Sequence, residues 1–147
     1  MSKKEKNIRY SWHLLLIVAL FLFLYGIAVY DYIMTVSHNP GYFEYLRYNQ
    51  TVIDYFTNYP LVLLILWTIN VLGGMVTLLL MLMRKETAFY FSAATFVSMF
   101  LLDLITFGFR NRWYVIGGRA SATDIFMLIL TLGLCVYNYF LFKKSYR

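Results

Sequence analysis

Four long apolar runs divide the chain, at about residues 12–34, 60–83, 88–107 and 123–142. Each is close to the roughly 20 residues that a helix needs to cross the hydrocarbon of a bilayer. Backbone groups in lipid must be satisfied within their own segment, so unbroken runs of this length predict helices. The alternating pattern of a membrane β-barrel is absent. The predicted fold is an all-α membrane protein, one domain over residues 1–147, with four transmembrane helices in an antiparallel bundle. Arg84-Lys85-Glu86 is so short a connection that the second and third helices must be antiparallel neighbours.

Two outer loops interrupt the pattern, at residues 36–59 and 108–122. In the first, His38-Asn39-Pro40-Gly41 reads as a turn. Tyr42, Tyr45, Leu46, Ile53 and Phe56 then recur near helical spacing with polar residues between them, which suggests a short amphipathic helix on the interface. An irregular tyrosine-rich loop in the aromatic belt is the alternative. In the second loop Gly117-Gly118 marks a turn, Ser121 or Thr123 is placed to cap the fourth helix, and Asp124 falls in its first turn.

Composition narrows this picture. Of 147 residues, 61% are hydrophobic and 14% charged, against about 45–50% and about 25% in soluble domains. A soluble globule, a disordered tail and a secreted disulfide scaffold are thereby disfavoured. The net charge of +6 comes from basic residues that sit mostly where apolar runs end, so lipid headgroups explain it and nucleic acid is not an expected partner. Lys3, Lys4, Lys6, Arg9, Arg84, Lys85, Lys143, Lys144 and Arg147 fall on one side; Arg47, Arg110, Arg112 and Arg119 fall on the other. The positive-inside rule puts both termini in the cytoplasm, although the arginines of the last loop oppose it. The charged start resembles a signal-peptide n-region, but the apolar stretch after it is too long, and a retained first helix is expected. Cys135 is the single cysteine, so no intrachain disulfide can form.

Ionisable residues inside apolar segments are costly and are the first places to look for chemistry. Asp31 lies near the outer end of the first helix, Asp103 about a turn inside the outer end of the third, and Asp124 at the start of the fourth. Antiparallel threading would bring them to one depth, with His38, Arg110, Arg112 and Arg119 on the same side. Two readings compete for this cluster. In one, carboxylates accept sugar hydroxyls or protons and arginines attract anions. In the other the charges neutralise one another, with Asp103 paired to a loop arginine and Asp124 serving the helix dipole. Ser92, Thr95 and Ser98 on the third helix, with Asn70, Gly73, Gly74 and Thr77 on the second, mark close-packed faces or a polar path. Trp67 could stack on a sugar ring, core packing being the commoner use. His13 and His38 are 25 positions apart, too far along one helix to ligate a shared haem. No metal spacing, nucleotide loop or nucleophile motif stands out, so neither cofactor nor enzyme activity is expected.

Trp12-His13-Leu14, Gly26, Asp31-Tyr32-x-Met34-Thr35, the aromatic segment ending at Pro60, Trp67, Gly73-Gly74 and the run from Leu78 to Arg84 occur in that order. Over roughly its first two thirds the chain resembles a family of small four-helix bacterial inner-membrane proteins that carry the loose label "sugar transporter". The resemblance implies four helices and a bacterial cytoplasmic membrane. It marks Asp31, Tyr32, Met34 and Thr35 as motif positions without assigning them a role.

Three functions remain open. The first is transport or binding of a small polar solute, such as a sugar, at the outer face; four helices enclose little volume, so the path is expected to need an oligomer. The second is a non-catalytic accessory or scaffolding subunit of a membrane complex, motivated by the small-residue face of the third helix. The third, a membrane enzyme or redox component acting on quinone or lipid, has no paired histidines, cysteines or nucleophile motif to support it. Expected partners are the bilayer, a second copy or another membrane protein, and a small polar solute. The small multidrug exporters also have four helices, but they use an acid in mid-membrane. Here Ile17 to Leu24 are wholly apolar.

Overall fold

The structure is a computed structural model that describes residues 12–143, with the backbone alone at Lys143. Lys3, Lys4, Lys6, Arg9, Lys144 and Arg147, on which the expected orientation leans, lie outside the described residues, as does the Lys143 side chain. The described residues form helices and turns and contain no strand. In order these are α1 (Trp12–Val36), α2 (Pro40–Tyr45), α3 (Gln50–Thr57), α4 (Leu61–Leu82), α5 (Thr87–Phe109), α6 (Arg112–Ile116) and α7 (Gly118–Asn138). A π-helical turn, Tyr139–Lys143, continues α7.

Four helices are long and apolar enough to cross a membrane: α1, α4, α5 and α7 with its π-turn. Within the most apolar stretch of α1, 22% of residues are buried inside the chain. Leu16, Phe23, Ile65 and Ile129 point outward, and such faces are compatible with hydrocarbon rather than water. The core is built from one stripe of α1, Leu14, Val18, Phe21 and Tyr25, meeting Leu78, Met81, Ala88, Leu134 and Phe142. The most extensive helix contact is α4 with α5, followed by α5 with α7 and α1 with α4. His13 Nδ1 and Tyr137 OH share a 2.9 Å hydrogen bond that ties α1 to α7.

The α4–α5 contact depends on missing side chains. A Cβ on Gly73 would meet Thr95 Oγ1 at 2.6 Å, and one on Gly74 would overlap the Tyr25 ring. Ser92, Thr95 and Ser98 are all buried. Ser92 and Ser98 donate to carbonyls of their own helix, those of Phe89 and Thr95. One bond crosses between the helices here, from Asn70 Nδ2 to the Thr95 carbonyl at 3.4 Å. The small-residue face of α5 is therefore used up inside the chain.

The segments between the long helices differ from the sequence expectation. Residues 36–59 contain two short helices, not one. Asn39 caps α2 by accepting from Tyr42 N at 2.9 Å, with Pro40 at the first helical position, where its missing N–H costs nothing. Asn49 caps α3 by accepting from Val52 N at 3.0 Å. His38-Asn39-Pro40-Gly41 is thus a helix start as much as a turn. The inward face is Phe43, Val52, Tyr55 and Phe56, while Tyr45 is exposed. The fourth long helix begins at Gly118, five residues earlier than the pattern suggests. Gly117, at φ 98°, makes the bend, and Asp124 falls beyond the first turn of α7. Its position is therefore not explained by the helix dipole, which acts within the first turn.

Candidate functional site

α1, α4, α5 and α7 do not close against one another at the end where α2, α3 and α6 lie. They leave a cavity of about 390 Å³ whose wall includes Asp31, Asp103, Arg112 and Asp124. Tyr42, Tyr59, Trp67 and Asn70 add to the lining. That volume lies in the range of small-molecule sites, about 300–1,000 Å³.

Each polar group reaches the cavity by a separate route. Asp31 stands in the last two turns of α1, and its Oδ1 accepts a 2.6 Å hydrogen bond from Tyr42 OH. The Asn39 cap fixes α2 and so carries Tyr42 to this position. Burial and the neighbouring Asp31 carboxylate both push the Tyr42 phenol above its ordinary value. Burial likewise raises Tyr48 and Tyr59. Arg112 opens α6, after Asn111 turns the chain at φ 49°. Asparagine tolerates that left-handed geometry better than most residues. Arg112 Nε donates to Asp124 Oδ2 at 2.6 Å, and both side chains are mostly buried. Burial works against the charge on Arg112, but the carboxylate outweighs it and holds the guanidinium protonated.

Asp103 is different. It is 8% exposed, lines the cavity, and its Oδ2 is buried without a hydrogen-bond partner. The loop arginine expected beside it is paired with Asp124 instead. Asp103 also borders a shallower groove between α5 and α7, lined by Phe100, Leu104, Phe107 and Leu128.

An aromatic group holds the short helices over the bundle. Val52, Tyr55 and Phe56 of α3 pack with Trp67 of α4 and with Val115 and Ile116 of α6. The Trp67 ring lies edge-on to Tyr32 at 5.1 Å between centroids, and Tyr32 OH bonds to Thr68 Oγ1 at 2.6 Å. Arg110 belongs to this assembly. Its guanidinium sits 4.2 Å over the Tyr55 ring, and Nη2 donates to the Tyr55 carbonyl at 3.2 Å.

Of the six residues singled out from the sequence, Asp31, Asp103 and Arg112 share the cavity. Arg110 braces α3, Arg119 is exposed on α7, and His38 is exposed with its ring edge-on to Phe43. These three are not part of the cavity wall. Asp124, read as a helix-dipole residue, belongs to the wall, as do Tyr42, Tyr59 and Asn70. Of the other motif positions, Thr35 is buried, and the Met34 carbonyl accepts from Asn39 N at 3.1 Å. Among the described residues no three His, Cys, Asp or Glu side chains are close enough to share a metal ion. No family model matches the chain, and no curated protein or solved structure does.

Proposed function

We propose that this chain is a multi-pass protein of the bacterial cytoplasmic membrane that binds a small polar solute in this cavity and moves it across the bilayer. The reading takes α1, α4, α5 and α7 as an antiparallel bundle with both termini inside, which puts the cavity at the outer end. The basic tails and Arg84-Lys85 support that orientation, and the resemblance noted above supports the membrane assigned. The observation that carries the function is the buried Asp103 Oδ2, without a hydrogen-bond partner, in a cavity large enough for a ligand. A purely structural cluster would leave such a group paired.

In this reading Asp31 and Asp103 bind the solute or relay protons, Trp67 and Tyr59 provide apolar walls, and the Arg112–Asp124 pair fixes α6 against α7. Four helices enclose little volume, so a path through the bilayer is expected to involve a second copy. The accessory-subunit reading loses its motive, because the small-residue face of α5 is covered by α4.

Uptake into proteoliposomes over a panel of sugars, polyols, amines and amino acids tests the proposal. Uptake of at least one class, lost on Asp31→Asn with Asp103→Asn, is the expected result. No uptake across the panel, with an unchanged cellular phenotype in the double variant, would sink it. For orientation, an impermeant thiol reagent should label Asn58→Cys and not Ser2→Cys in intact cells.

A further inference from the structure

The cavity wall holds three carboxylates and one guanidinium. Arg112 Nε donates to Asp124 at 2.6 Å, so its charge is already balanced by a carboxylate. Asp31 accepts a hydrogen bond from a neutral phenol, that of Tyr42. Asp103 is more than nine-tenths buried, with Oδ2 lacking any hydrogen bond. With every group ionised, the wall carries a surplus of two negative charges in a partly apolar enclosure. An anion would be repelled there, and beside a neutral sugar the surplus could be removed only by protonating a carboxylate.

A bare metal ion fits no better. The three carboxylates border the same cavity, yet among the described residues no three acidic, histidine or cysteine side chains lie close enough to share an ion. They face the space from separate helices, α1, α5 and α7. A ligand must therefore have length as well as charge. Tyr42, Tyr59 and Trp67 add aromatic faces to the same wall, and such faces favour organic cations.

We infer that the cavity takes a small organic ammonium ion, which would donate N–H bonds to the Asp103 carboxylate and reach toward Asp31 along the aromatic wall. This rests on the reading that the cavity binds a solute, and it names that solute's class. The Asp103 lone pairs would gain donors, and the surplus charge would be cancelled by the ligand instead of by a side chain.

The test is calorimetric titration of the purified full-length chain in neutral detergent, at fixed ionic strength. Probes are 1,4-diaminobutane, butylammonium, the uncharged isostere 1,4-butanediol, glucose and propionate. The diamine and butylammonium should bind, and the diol and propionate should not. Asp103→Asn, nearly isosteric, should weaken the diamine at least tenfold. Asp31→Asn is the second variant, expected to weaken the diamine more than butylammonium. Elution volume and tryptophan emission identify properly folded material for both variants. Binding of glucose or the diol without the amines would overturn the ammonium assignment and leave the solute reading standing. Equal diamine affinity in wild type and both folded variants would also overturn it. No binding by any probe, together with no uptake across the wider panel, would overturn both.

Discussion

Adding one methyl group at Gly74 tests how α1 packs on α4 and what bounds the cavity. A Cβ there would overlap Cε1, Cζ and Cδ1 of Tyr25. That ring is 1% exposed, stacks on Phe21 at 6.3 Å between centroids, and lines the cavity. Relief requires the ring to shift toward the open volume or the two helices to part. Overfilling a packed site costs about 1–3 kcal/mol, while exchanging a helical glycine for alanine returns up to about 1 kcal/mol. The net expectation for Gly74→Ala is a loss of about 1–2 kcal/mol. Gly26 on α1 and Gly133 on α7 have nothing within 4 Å of a built Cβ, so alanine at either should be neutral or stabilise by up to about 1 kcal/mol. Reversible unfolding by SDS titration in mixed micelles, followed by tryptophan emission, measures the difference. In a Tyr25→Leu background the penalty at Gly74 should largely vanish. Gly74→Ala as stable as Gly26→Ala, or a penalty unchanged by Tyr25→Leu, would refute the contact.

The Arg112–Asp124 pair should show coupling of about 2 kcal/mol in a double-mutant cycle with Arg112→Gln and Asp124→Asn, because its desolvated partners leave an uncompensated charge when separated. Additive single-mutant losses would contradict that. Asn39→Ala should cost about 1 kcal/mol and speed amide exchange in α2, including Tyr42 N, while leaving α4 and α5 protected. Alkaline stability carries a sign fixed by Tyr42, Tyr48 and Tyr59, whose phenols are raised above 10.0 by burial. The folded chain keeps these protons where the unfolded chain gives them up, so stability is intact below pH 10 and falls as pH rises above it. Tyr42→Phe should make that fall shallower in an unfolding series at rising pH.

The parts of the fold that depend on one-dimensional pattern were legible in the sequence. The apolar runs show the four long helices to within a few residues, except at the start of α7, where Gly117 bends the chain and α-helix begins in a polar stretch. Asp31 and Asp103 stood out because acids are rare in apolar runs, and both reach the cavity. The partners did not stand out. Tyr42 meets Asp31 only because Asn39 starts a helix just after α1 ends, and the same residue string reads equally well as a turn. Arg110, Arg112 and Arg119 look alike in sequence. The left-handed Asn111 between the first two helps turn one guanidinium toward the Tyr55 ring and another toward Asp124. Nothing in their spacing distinguishes these destinations. The sequence pattern puts Asp124 in the first turn of its helix, and the extra residues ahead of it on α7 remove that explanation. Asn70 had a readable signal as an amide within an apolar helix, but packing accounts for such residues equally well.

The two satisfied acids find their partners close by in the chain. Tyr42 follows Asp31 by 11 positions, and Asp124 follows Arg112 by 12. Each polar pair can therefore form within a single helix and the short element beside it, before the distant helices have met. For a nascent chain entering a bilayer in stages, this shields Asp31, Arg112 and Asp124 from bare exposure to lipid. Asp103 has no such companion. It must enter hydrocarbon protonated or wait for its neighbours, making α5 the segment whose insertion is most sensitive to the order in which the helices arrive.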